Sequence, residues 1–207
     1  MYRTFVIRDR FKGLREEISW LIGLFLLINV FGGLYYVKKD LFGGLGFILG
    51  VALGFVTHEM GHRSVAQRLM CRARFTIDLY SVLFTSSIAL IQNILLLLTG
   101  RGLPFIVALP GYVLSLCGFI TRSSEGIIAL AGPLTNITLA IIALILGYIL
   151  QPIYSLKDLI SAIAYVNIML ALFNLIPIPP LDGYKIVRWN IFVWLLLVLI
   201  ALMLITL

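Results

Sequence analysis

Long apolar stretches alternate with short charged segments along the whole chain. Seven of these stretches contain neither a charged residue nor a histidine. A helix needs about 20 residues to cross the hydrocarbon core of a bilayer, so each stretch is about long enough to cross or deeply enter it. They leave no room for a separate soluble domain, and the pattern predicts one integral membrane domain over residues 1–207. The stretches cover residues 18–37, 41–57, 79–100, 102–121, 126–156, 159–181 and 189–207.

Breaks in these stretches predict the individual elements. Residues 72–78 alternate between polar and apolar side chains, which indicates a short strand. Residues 79–120 are interrupted by glycines and prolines, which favours either two spans or a re-entrant hairpin. We expect an all-α polytopic membrane fold of about six transmembrane helices (five to seven). A membrane-associated hairpin or strand insertion should separate the second span from the span that contains Gly132 and Pro133. The other spans are expected at 18–37, 41–62, 127–150, 157–176 and 189–207.

The composition agrees with a membrane protein. Apolar residues make up 61% of the chain and charged residues 12%, against about half and about a quarter in soluble domains. A soluble enzyme and a DNA-binding domain are therefore excluded. The formal charge of +7 reflects Lys and Arg near the ends of the apolar stretches, which favours membrane topology and anionic lipid over nucleic acid. Cys71 and Cys117 lack metal-type spacing and are expected to be free thiols.

The sequence His58-Glu59-Met60-Gly61-His62 carries the strongest chemical signal. Histidines four residues apart lie on one face of a helix, so both rings can reach one metal ion. Glu59 is rotated by about 100° from His58 and can take a proton from a water molecule held by the metal. The chain has only two histidines, and ionisable residues in membrane spans are costly and usually functional. This motif predicts a metallopeptidase site.

A catalytic zinc ion normally takes three protein ligands, and the chain has no third histidine. Asp182 is the best remaining candidate because it follows a long uncharged stretch and a run of three prolines, Pro177, Pro179 and Pro180. These prolines prevent a regular helix, and irregular backbone is tolerated in a membrane only where it is buried or lines a wet cavity. The other candidates are Asp78, Glu125, Asp158, Cys71 and Cys117.

Zinc ligation also constrains the topology. His58, His62 and Asp182 must lie at one depth, so residues 79–120 must return to the side from which they left. With the N-terminus in the cytoplasm, twelve Lys and Arg residues then lie inside and four outside. This bias follows the positive-inside rule. It predicts a multi-pass protein of the cell membrane with its active site towards the cytoplasm.

Three motifs together resemble the site-2 protease family, whose members are intramembrane zinc metalloproteases. The motifs occur in the family's order, and the resemblance covers about residues 41–188, the expected catalytic core. The motifs are His58-Glu59-Met60-Gly61-His62, Ala131-Gly132-Pro133-Leu134-Thr135-Asn136, and Asn174 followed by Pro179-Pro180-Leu181-Asp182-Gly183.

The resemblance implies one zinc ion per chain, held by His58, His62 and Asp182, with Glu59 as the general base. It implies that Asn174 orients the substrate or stabilises the oxyanion. Gly132 and Pro133 would support the site. Asn136 either faces the active site or makes a hydrogen bond between helices.

The implied function is regulated cleavage of single-span transmembrane substrates within the bilayer, with no nucleic-acid partner. Three alternatives remain: a membrane zincin of the prenyl-protein type, a transporter or channel, or an inactive scaffold with a structural zinc site. The first would need a downstream Glu ligand, for which only Glu125 is present. A structural zinc site needs no base and usually has four protein ligands, so Glu59 argues against it.

Overall fold

A computed structural model describes residues 15–103, 108–150 and 154–207 of the chain. These residues form a helical bundle with one small sheet. In chain order the elements are α1 (Glu16–Val30), α2 (Gly33–Lys39), α3 (Leu41–Arg68), β1 (Arg72–Thr76), α4 (Leu79–Thr99), β2 (Tyr112–Leu116), α5 (Arg122–Ile149), α6 (Tyr154–Asn174), α7 (Asp182–Trp189) and α8 (Ile191–Ile205).

Four helices in the described residues are long and apolar enough to cross a membrane: α3, α4, α5 and residues 156–174 of α6. A fifth span results if α1 and α2 are counted together, although they are bent by 51°. The bend occurs at Gly32, whose φ of 68° is readily adopted only by glycine. Helix α8 has only 15 residues. The expected number of about six spans is therefore not confirmed.

Helices α3, α5 and α6 form the centre of the bundle. Glycines on one face of α3 allow α6 to approach closely, because a Cβ atom at Gly50 would lie 3.0 Å from Cα of Ile163. At Gly54 it would lie 2.6 Å from Oδ1 of Asn167. Small residues permit this kind of helix packing in membranes. These glycines bring α6 against the part of α3 that carries the His motif.

The short strand expected at residues 72–78 is confirmed as β1. Its partner is β2, which pairs with it antiparallel so that Arg72 lies opposite Leu116 and Thr76 opposite Tyr112. The two strands do not form a simple hairpin, since α4 lies between them in the chain. After α4 the chain comes back to the start of that helix, as the ligand geometry requires.

Among the described residues, the chain between α4 and β2 does not form a second helical span. We call residues 100–111 the return segment; residues 104–107 of it lie outside the described part. The N–H of Leu103 donates to Oε1 of Gln92 at 2.6 Å, and the N–H of Leu109 donates to Oγ1 of Thr85 at 3.1 Å. Both acceptor side chains belong to α4 and are buried. These bonds satisfy backbone that makes no helical hydrogen bonds within an apolar protein.

Cys71 and Cys117 form a disulfide, so the prediction of free thiols is wrong. The residues are 46 positions apart in sequence, but both lie directly beyond the same end of the paired strands. Pairing of β1 with β2 brings their Cα atoms to 4.3 Å. The disulfide closes a loop that contains β1, α4, the return segment and β2.

Candidate metal centre

The two histidines lie on the inner face of α3 and are both buried. One helical turn separates them, and their Nε2 atoms are 3.0 Å apart. Two imidazole nitrogens so close together in an apolar bundle are suited to a shared cation. The expected helical placement of His58 and His62 is confirmed.

Asp182 completes the cluster. Its Oδ2 atom lies 3.2 Å from Nε2 of His58 and 3.0 Å from Nε2 of His62. The ligand atoms of the three residues lie within 4.8 Å of one another. An ionised carboxylate is the form that binds metal.

The chain reaches Asp182 through an irregular turn that follows α6. Gly183 packs directly against the carbonyl of Leu175, where a side chain would collide. The indole Nε1 of Trp194, on α8, donates to that same carbonyl at 2.7 Å. The proline-rich turn is thereby held in the bundle, and it sets Asp182 at the first position of α7.

The other ring nitrogen of each histidine, Nδ1, lies within hydrogen-bond distance of an acceptor. Nδ1 of His58 lies 2.7 Å from Oδ1 of Asn136, and Nδ1 of His62 lies 2.7 Å from the carbonyl oxygen of Ile128. Each Nδ1 therefore carries a hydrogen, and in the neutral form of each ring Nε2 has the free lone pair that a metal ion binds. Metal-ligating histidines usually show this arrangement. The donor set and its orientation fit a zinc ion.

Glu59 lies beside the ligand cluster and is not one of its members. Its side chain is buried, and its Oε2 atom has no hydrogen-bond partner among the described residues. A buried polar atom without a partner is costly unless something else binds there. Glu59 also lines a cavity of about 490 Å³ that reaches His58, His62 and Asp182. This placement suits a proton acceptor for a reacting water.

Of the remaining predicted residues, Asn174 lines the cavity and Gly132 contacts the histidines. Asn174 is the last residue of α6 and lines the cavity, while its Nδ2 donates to the carbonyl of Leu170 at 3.0 Å. Gly132 touches the imidazoles, since a Cβ atom there would lie 2.5 Å from Nε2 of His62 and 2.6 Å from Nε2 of His58. Pro133 is buried in the same turn of α5.

The structure does not bring the other ligand candidates into the cluster. Asp78 caps α4 by accepting from the N–H and Oγ of Ser81 at 3.0 Å and 2.6 Å. Glu125 lines the cavity but does not join the three ligands. Asp158 lies in α6 near the end of that helix opposite Asn174. Both cysteines are in the disulfide.

Sequence reasoning missed two contributors to this site. Asn167, in the middle of α6, is fully buried. Its oxygen accepts a hydrogen bond from α5, and its amide nitrogen donates to carbonyls of α3 and α6. An asparagine inside an apolar span was the available signal. Strand β2 also lines the cavity, with residues 112–115. Its partner in the sheet is remote in sequence, so periodicity alone could not find it.

Comparisons with known proteins agree with this chemistry. Residues 151–195 match peptidase family M50. The chain is 36% identical to MJ0611 of Methanocaldococcus jannaschii, a protein provisionally named a zinc metalloprotease, over 87% of each chain. It is 28% identical to zinc metalloprotease MJ0392 of the same organism, over 86% of this chain and 43% of that one. No solved structure gives a significant match.

Proposed function

The chain belongs to peptidase family M50, the site-2 protease family of zinc metalloproteases, and we propose that it cleaves transmembrane proteins within the bilayer. One observation carries the proposal: two of the three residues of the buried ligand cluster, His58 and His62, lie inside α3, a helix long enough to span a membrane. His58 is ten residues before the end of α3, which at about 1.5 Å per residue puts it about 15 Å from that end. A peptide bond cleaved there is at membrane depth.

The residues divide the reaction among them. His58, His62 and Asp182 hold one zinc ion per chain. When bound, zinc supplies a Lewis acid that polarises the scissile carbonyl and makes a water molecule more acidic. The carboxylate of Glu59 accepts a proton from the attacking water and delivers it to the leaving amine. Asn174 donates one Nδ2 hydrogen to Leu170 and keeps the other for the substrate carbonyl.

The sheet beside the cavity suits an unwound substrate. A helical substrate must open locally, because its backbone amides are otherwise occupied by helical hydrogen bonds. Strand β2 is paired with β1 along one edge, and its residues line the cavity that contains Glu59. The other edge can accept an extended substrate segment through main-chain hydrogen bonds.

A second, smaller cavity supports an apolar substrate. It has a volume of about 50 Å³ and adjoins His58 and Glu59. Its walls are mostly apolar side chains from α1, α3 and α6, among them Leu27, Phe55 and Phe173. A small apolar side chain next to the scissile bond fits such a pocket, and such side chains are plentiful in single-span proteins.

We propose that the protein is a multi-pass enzyme of the cell membrane with a cytoplasmic N-terminus. The active site opens towards the cytoplasm, because the end of α3 after His62 and the strand that follows it are rich in basic residues. These are Arg63, Arg68, Arg72 and Arg74. Basic residues flanking spans favour the cytoplasmic side. A transporter or scaffold with a structural zinc site has less support, since the cluster has three ligands and a base beside it.

The deciding experiment compares wild type with Glu59→Gln in lipid vesicles that contain a single-span substrate. Glutamine keeps the shape but cannot act as a base at neutral pH, so we expect unchanged zinc content and a loss of activity of at least about 100-fold. Mass spectrometry of the fragments locates the cut. Cleavage outside the apolar segment of the substrate, or near-full activity of Glu59→Gln, would refute the proposal.

A further inference from the structure

We propose that Asn167 is a positioning residue for the metal site: acting through Asn136, it orients the His58 ring so that Nε2 faces the metal. The inference rests on the ligand role proposed above for His58. The three side chains come from α6, α5 and α3, in that order, and form a continuous chain of hydrogen bonds. His58, Asn136 and Asn167 are all buried.

The orientation of Asn136 is determined by its amide nitrogen. Nδ2 has two hydrogens, and two acceptors meet them: the carbonyl of Gly54 at 3.0 Å and Oδ1 of Asn167 at 3.0 Å. The oxygen of Asn136 is therefore left to face Nδ1 of His58 at 2.7 Å. Because that oxygen can only accept, the His58 hydrogen must be on Nδ1.

Asn167 is itself held by main-chain acceptors. Its Nδ2 atom donates to the carbonyl of Ile163 at 2.9 Å and lies 3.4 Å from the carbonyl of Gly50. This leaves Oδ1 of Asn167 as the acceptor that faces Asn136. If the Asn136 amide turned over, its oxygen would face two other oxygens in a buried site, an arrangement with neither hydrogen bond.

Gly54 on α3 packs directly against both amide side chains. A Cβ atom at Gly54 would lie 2.6 Å from Oδ1 of Asn167 and 3.2 Å from Nδ2 of Asn136. Because Gly54 has no side chain, both amides fit against α3. The close contact of α3 with α6 is coupled in this way to the geometry of a metal ligand.

The two histidines differ in how they are oriented. His62 donates to the main-chain carbonyl of Ile128, which no side-chain substitution removes. His58 depends on side chains alone. Substituting Asn167 should therefore disturb one ligand and leave the other in place, which weakens zinc binding without abolishing it.

The test measures zinc affinity by chelator competition in purified protein. In Asn167→Leu, one hydrogen of Asn136 loses its acceptor, and we expect zinc binding to weaken by about 10- to 100-fold, as for other residues that orient metal ligands. Asn167→Asp should rescue affinity to within a few-fold of wild type. A buried aspartic acid stays neutral, so its carbonyl accepts from Asn136 and its hydroxyl donates to Ile163.

Asn93→Leu is the matched control. Nδ2 of Asn93 on α4 donates to the carbonyl of Asn29 on α1 at 3.0 Å, so this variant also removes an interhelical amide hydrogen bond, at a half-buried position. We expect it to lower thermal stability and to leave zinc affinity unchanged. If Asn167→Leu binds zinc as tightly as wild type, or if Asn93→Leu weakens zinc binding equally, the positioning role is refuted.

A measurement on wild type covers the case in which Asn167→Leu does not fold. The chain has only two histidines, so ¹⁵N-histidine labelling of protein without a histidine tag reports on this site alone. Both zinc-loaded rings should show a protonated Nδ1; a bare Nδ1 on the His58 ring would contradict the positioning role of Asn167. His58→Ala tests the ligand role of His58 separately from the positioning role of Asn167. If His58→Ala retains wild-type zinc affinity, the ligand assignment fails, and the positioning role fails with it.

Discussion

Gly132→Ala should weaken zinc binding even though it adds a single methyl group. The added Cβ would lie 2.5 Å from Nε2 of His62 and 2.6 Å from Nε2 and Cε1 of His58. Unstrained contacts between such atoms are about 3.5–4.0 Å, so each ring would have to move by about 1 Å. Metal-ligand distances tolerate only about 0.2 Å.

The expected magnitude follows from these distances. Overpacking of this kind costs about 1–3 kcal/mol, and it falls on the two nitrogens proposed to bind the metal. At about 1.4 kcal/mol per tenfold, the upper end of this range corresponds to about 100-fold in affinity. We expect zinc affinity and peptidase activity to fall by up to about that factor, while the helix itself remains intact because alanine is the better helix former.

Gly147→Ala is the matched control on the same helix. A Cβ atom there would make only an ordinary contact, 3.5 Å from Cγ2 of Ile160. Zinc content by mass spectrometry, peptidase rate and thermal stability should stay at or slightly above wild type. If Gly132→Ala keeps a full zinc complement and wild-type rate, the imidazoles are not held as described and the site geometry is wrong.

Three further predictions test other parts of the structure. Asp182→Ala should lose zinc and activity, whereas Asp158→Ala should lose neither outright; one zinc per chain at wild-type affinity in the first variant would contradict the ligand assignment. Thr85→Val leaves the N–H of Leu109 in the return segment without its acceptor and should cost up to about 1–3 kcal/mol of stability. Thr138→Val, which removes only a bond within its own helix, should change stability by less than about 0.5 kcal/mol. Reducing the disulfide, which closes a loop of 46 residues, should destabilise the protein by up to about 4 kcal/mol in thermal melts; an unchanged melting temperature would argue against it.

The metal pair and the strand were predictable because their signals are local. His58 and His62 lie one helical turn apart, and a helix of any origin would put them on one face. The alternation at residues 72–78 likewise reports strand geometry directly. Asp182 was found by elimination, since few ionisable residues occur in the apolar part of the chain.

Residues that depend on distant partners needed the tertiary structure. The number of spans is not confirmed because hydropathy alone does not separate a helix from a return segment whose N–H groups are satisfied by Gln92 and Thr85. The disulfide was missed since Cys71 and Cys117 meet only when β1 and β2 pair.

The amino-acid sequence by itself determined the chemistry of the protein: a membrane-embedded helix with two histidines and a glutamate, and an aspartate after a proline-rich break. Those features depend on neighbours within a turn or two of helix. Only the tertiary structure decided which atoms of those residues face the metal. That choice depends on Asn136, Asn167 and the carbonyl of Ile128. Hydrogen bonds between helices connect residues that share no sequence periodicity.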